Sequence, residues 1–208
     1  MREARRGDPD GLLRRFVPRN DSLFISGRWY YARHKFPAMP DPRKGYGALR
    51  KGRHSSPEAD YFLTVCLQRP SSVLTEEEVS QRCLMELRRL EKEQAMTLRC
   101  AVIMPDHLHL LITLGHTTSL SSIIRFFKGR LTPLLRRHGA SWQQSFYDHC
   151  LHPEEDRLPV FLYIFLNPYR KKLVPVDRSW PGYYCVPEDW SWFGQLSKED
   201  CPEPAWLA

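Results

Sequence analysis

A chain of 208 residues, 42% hydrophobic and 26% charged, is long enough for one sizeable core or a core with a small appendage. Its 31 Lys and Arg outnumber 24 Asp and Glu, giving +7 and a pI near 9.2; such a surplus suits a polyanionic partner, though basic proteins without one exist. No apolar run can cross a bilayer, the charged start Met1 to Asp10 is no secretory leader, and the six cysteines lack a Cys-x-x-Cys pairing, so the expectation is a cytoplasmic protein with reduced thiols and no membrane partner.

Residues 1–59 read as a basic arm. Arg2, Arg5, Arg6, Arg14, Arg15 and Arg19 open it, and the stretch from Trp29 to Lys35 has the make-up of a short edge strand. Pro37, Pro40 and Pro42 then forbid regular pairing. A Gly-rich basic patch follows, with Arg43, Lys44, Lys51 and Arg53 as candidate phosphate contacts. A solvated tail has the same composition.

Residues 60–175 carry the regular pattern, and one domain is expected over 1–208. Tyr61 to Leu67 predicts a strand. Thr75 to Glu78 has the spacing of a capping box, opening a helix with Val79, Cys83, Leu87 and Leu90 on one face. Leu98 to Met104 and His107 to Leu114 predict two strands around the corner Pro105-Asp106. Thr118-Ser119 opens a second helix with the stripe Leu120, Ile123, Ile124, Phe127, Leu131, Leu134 and Leu135. Pro133 should kink or interrupt it near Gly129. Arg125, Lys128 and Arg130 lie off that stripe, as a phosphate track or an ordinary solvated face. Trp142 to His149 reads as a loop entering a strand, and a third helix should run from about Leu158 to Asn167, stopped by Pro168. Arg170, Lys171 and Lys172 follow, and residues 176–208 read as an aromatic extension wrapped on the core.

Three places in this pattern carry chemistry. His107 and His109 point to the same strand face and can converge on one metal ion, or can simply line a solvated sheet. Asn167 offers a hard amide oxygen suited to Mg²⁺ or Mn²⁺. Tyr163, one helical turn before it, offers a phenol that can attack phosphorus; taken alone, it reads rather as an ordinary core aromatic among Phe161, Ile164 and Phe165.

Taken together, Pro105-Asp106-His107-Leu108-His109 resembles the His-hydrophobe-His motif of the HUH endonuclease superfamily. The segment from Tyr163 to Pro168 is similar to the catalytic helix of its single-tyrosine transposases. Asn four residues after the Tyr, where the insertion-sequence branch has Gln, points to the REP-associated tyrosine transposases with their IS200-like fold. The resemblance implies an α+β fold: a central antiparallel sheet with helices packed on it, ferredoxin-like βαββαβ, plus the catalytic helix. It implies a metal-dependent endonuclease and strand transferase for single-stranded DNA hairpins. Tyr163 would stay linked to a 5′ phosphate, and His107, His109 and Asn167 would hold Mg²⁺ or Mn²⁺. Relatives act as monomers or homodimers. Asp106 stands where relatives often have Asn, Pro159 closely precedes Tyr163, and Phe161 and Phe165 make the helix bulky. These departures leave open a domesticated hairpin-binding protein with weak or no cleavage.

Overall fold

The computed structural model describes residues 23–25, 28–30, 55–155, 157–175 and 178–190. The chain divides into two compact units, Met1–Asp41 and Pro42–Ala208. In the first, β1 (Leu23–Ile25) pairs antiparallel with β2 (Arg28–Tyr30). The expected edge strand therefore appears only over its first residues; 31–35 lie outside the described residues.

The second unit runs β3 (Asp60–Cys66), a 3-10 turn (Val73–Thr75), α1 (Glu77–Lys92), β4 (Met96–Ile103), β5 (His107–Leu114), α2 (Leu120–Arg137), β6 (Tyr147–Cys150), α3 (Leu158–Arg170) and β7 (Tyr183–Cys185). The sheet order is β6-β3-β5-β4-β7, and every neighbouring pair is antiparallel. Without β7 this is two interleaved βαβ units, the ferredoxin-like arrangement the sequence predicts. β7 is an addition; its three residues carry too little pattern to distinguish a strand from an extended wrap.

Alternation along the strands supplies two buried faces. Tyr61, Leu63 and Val65 of β3 and Leu108, Leu110, Ile112 and Leu114 of β5 join the predicted stripes of α1 and α2 in one core. β4 would lose this parity halfway. A bulge between Leu98 and Cys100 restores it, so Met96, Leu98, Ala101 and Ile103 all face that core. The other sheet face offers Phe62, Val102 and Leu111, and α3 covers β4 and β5 with Phe161, Ile164 and Phe165 buried. Gly115 closes β5; a Cβ there would sit 2.3 Å from the Gln94 carbonyl oxygen.

Three local expectations fail, each for a visible reason. The capping box does not form. Thr75 instead donates its hydroxyl to the Ser72 carbonyl at 2.7 Å, closing the turn that buries Val73 and Leu74, and α1 starts from Glu76 without a side-chain cap. Pro133 does not interrupt α2, the stronger of the two effects expected of it; the helix runs on to Arg137. The bond lost is to the carbonyl of Gly129, an exposed residue, while the stripe on either side stays buried. Pro168 does not stop α3 at Asn167. The helix continues to Arg170, and the Asn167, Pro168 and Tyr169 carbonyls accept from Lys171, Leu173 and Lys172. Ser119 does cap α2, accepting from the Ser122 N–H.

Candidate active site

His107 and His109 lie two residues apart on β5, so both imidazoles leave the sheet on the α3 side. Each is 5% exposed. Their Nε2 atoms are 3.1 Å apart, with ring centroids at 4.7 Å. The other nitrogen of each ring meets an oxygen: His107 Nδ1 lies 2.7 Å from Asp106 Oδ1, and His109 Nδ1 lies 2.9 Å from Thr64 Oγ1. The β3–β5 register puts Thr64 directly opposite His109. Phe62, two residues back on the same face of β3, stacks on the His109 ring at 5.5 Å.

Tyr163 arrives from α3. Its ring meets His109 edge to face at 5.1 Å and Phe62 at 5.6 Å. Arg170, seven residues along the same helix, holds its guanidinium carbon 5.5 Å from the Tyr163 ring centre, a cation–π contact. Asn167, one turn from Tyr163, is buried, and its Oδ1 has no hydrogen-bond partner among the described residues. Leaving such an oxygen unpaired costs about 1–3 kcal/mol, which a cation or a ligand hydrogen would recover.

Burial holds the His109 pKa well below the ordinary value, reinforced by His107, Lys171 and Arg170. The ring is therefore neutral near pH 7, as a metal ligand must be. Burial pushes the Tyr147 phenol up to about 12, with Asp148 and Tyr163 adding to it, so it stays protonated. Cys66, paired with His107 in the register, is pushed up to about 11 by burial and by Asp106 against the pull of Lys128; it remains a thiol. Among the described residues no three His, Cys, Asp or Glu side chains form a metal-binding group. The facing Nε2 atoms of His107 and His109 and the orphaned Asn167 oxygen are donor types that could hold a hard divalent ion.

The expected basic track is only partly available. Arg43, Lys44, Lys51 and Arg53 lie outside the described residues. Lys128 spends its ammonium on the carbonyls of Gln143 and Ser145, both at 2.7 Å, and so secures the loop before β6. Arg130 is paired with Glu93 at 3.1 Å and with Glu86 at 3.7 Å. Arg125 is exposed and lies over Phe126. Arg170 ends α3 and Lys171 and Lys172 follow it; Arg170 and Lys171 lie close enough to His109 to disfavour its charged form. Sequence reasoning passed over Thr64 and Phe62 as site residues. The available signal was parity: with Tyr61, Leu63 and Val65 in the core, Phe62 and Thr64 must face the histidines.

Residues 55–152 match the family described as "Transposase IS200 like". A curated REP-associated tyrosine transposase of Haemophilus influenzae is 27% identical over 157 residues, covering 62% of this chain and 86% of its own length. A solved structure of a REP-associated tyrosine transposase bound to a REP hairpin superposes with a TM-score of 0.54 and 25% identity, covering 63% of this chain and 79% of that one.

Proposed function

We propose that this chain, a relative of the IS200-like and REP-associated tyrosine transposases, is a metal-dependent endonuclease and strand transferase for single-stranded DNA hairpins. The observation that carries the reading is the Tyr163 ring in contact with a histidine whose Nε2 faces a second histidine's Nε2. The hairpin substrate is taken from the relative solved with one. His107, His109 and Asn167 would hold Mg²⁺ or Mn²⁺. When bound, the ion supplies Lewis-acid polarisation of the scissile phosphate.

The remaining chemistry belongs to the chain. The Tyr163 oxygen forms a bond to phosphorus, and the bond from phosphorus to the 3′ oxygen breaks. The phenol proton ends on the departing 3′ oxygen by way of water, leaving a 5′ phosphotyrosine and a 3′ hydroxyl. Attack by a 3′ hydroxyl reverses the step and rejoins strands. Arg170 steadies the ring and places positive charge beside the phosphate. Burial makes the neutral His109 ring a weak base, so it is a poor acceptor for the phenol proton.

The test is incubation of labelled hairpin DNA with Mg²⁺ or Mn²⁺ and the protein or its Tyr163→Phe variant. A covalent adduct that survives denaturation and vanishes in the variant is expected. Tight binding by both proteins with no adduct overturns the nicking reading and leaves a hairpin-binding protein.

A further inference from the structure

We propose that Asp106 and Thr64 are positioning residues that set which nitrogen of each histidine carries its hydrogen, Asp106 as a fixed lock on His107 and Thr64 as a rotor that follows His109. The proposal deepens the metal reading above and rests on it for its consequence. Its hydrogen assignments stand on four contacting side chains alone.

The argument starts from what each oxygen can do. A carboxylate only accepts, so the 2.7 Å contact requires a hydrogen on His107 Nδ1. A neutral His107 then presents a lone pair at Nε2. That lone pair points at His109 Nε2, 3.1 Å away. Two lone pairs at that distance repel, so in the absence of a cation His109 must put its own hydrogen on Nε2 and donate to His107. Its Nδ1 is then an acceptor, and the Thr64 hydroxyl, 2.9 Å away, donates to it.

A cation held by the two histidines would reverse only half of this pattern. His109 would then carry its one hydrogen on Nδ1 in place of Nε2, exchanged through solvent, so its charge would be unchanged. Thr64 would turn its hydroxyl and accept. His107 would keep its form, because Asp106 already sets it. A hydroxyl can play both parts and a carboxylate cannot, which is why the two supports differ in kind. The local sequence makes this possible: Asp106 is fixed at the corner entering β5, and Thr64 is delivered by the register of β3. Such supports behind metal-ligating histidines are worth about 10- to 100-fold in metal affinity.

The experiment reads ring tautomers by long-range ¹H–¹⁵N NMR of the metal-free full chain, and Mn²⁺ affinity by electron paramagnetic resonance of the free ion. His107 is expected in the Nδ1–H form and His109 in the Nε2–H form. Asp106→Ala should let His107 populate Nε2–H and weaken Mn²⁺ binding about 10- to 100-fold, and Asp106→Asn, whose amide oxygen still accepts, should restore both. Thr64→Val should weaken Mn²⁺ binding and Thr64→Ser should rescue it, with unchanged thermal melting in the two conservative variants. A wild-type His107 in the Nε2–H form, or unchanged tautomers and affinity in Asp106→Ala, overturns the proposal. The expected tautomers in a wild-type protein that takes up no Mn²⁺ would support the hydrogen assignments while sinking the metal reading.

Discussion

His109 shows at the scale of one residue how burial prepares a group for chemistry. Its ring is enclosed by Phe62, Thr64, His107 and Tyr163, with Arg170 and Lys171 adding positive potential, so the folded protein resists protonating it. The unfolded chain takes up that proton below about pH 6.5. Stability from this residue is therefore present above that pH and lost as the pH falls, by up to about 1.4 kcal/mol per unit. Denaturant titrations between pH 7.5 and 5 should show the loss, and His109→Asn should flatten it. His107, His109 and Asn167 stand out in the sequence as polar residues in apolar runs, whereas Tyr163 is one aromatic among several and is singled out by the resemblance of its segment to a catalytic helix. Thr64 was legible by parity as a residue on the histidine side of β3, but which ring it meets is set by strand register across 45 positions. Arg170 was legible as a charge. Its seat on the Tyr163 ring depends on α3 passing Pro168, which the sequence argues against.

The elements were legible where a long apolar period existed and misread where a short-range rule competed with packing. The stripes of α1 and α2 are both buried as predicted. Thr75 looked like a cap because of Glu78, yet the turn before it claims its hydroxyl. Ser119→Ala should thus cost about 1 kcal/mol in denaturant unfolding, as for a working N-cap, whereas Thr75→Ala should cost clearly less. Both prolines overstated their effect for one reason: a missing N–H removes a single bond, while Phe161, Ile164 and Phe165 on α3, or Leu131 and Leu134 on α2, hold the helix to its sheet. Lys128 was read as a surface charge. Lys128→Met should leave two carbonyls unpaired and destabilise the protein by about 1–3 kcal/mol, measured by chemical denaturation.

For the whole molecule, the net charge hides a strong division. Residues 1–54 hold 14 of the 31 Lys and Arg and 5 of the 24 Asp and Glu, so that segment carries +9 and the other 154 residues −2. Residues 55–208 by themselves therefore carry no net attraction for a polyanion, and the run Arg170, Lys171 and Lys172 is a local exception. If the hairpin reading holds, replacing Arg43, Lys44, Lys51 and Arg53 together by Gln should lower affinity for every hairpin sequence. The slope of log affinity against log salt should become shallower by as much as about 3, at about 0.7 per phosphate contact on single strands. An unchanged slope in a salt series would place the phosphate contacts elsewhere.

One property of α3 reaches further. Because the rod runs unbroken from Leu158 to Arg170, the Tyr163 phenol and its guanidinium companion are passengers on one helix, whereas the imidazoles ride on the sheet. Any excursion of that rod would carry the Tyr163 ring, the Arg170 charge and the Asn167 oxygen together and leave the two facing nitrogens where they are. If the proposed ion site holds, filling it and presenting the phenol are thereby mechanically linked, because the Asn167 oxygen rides the same rod.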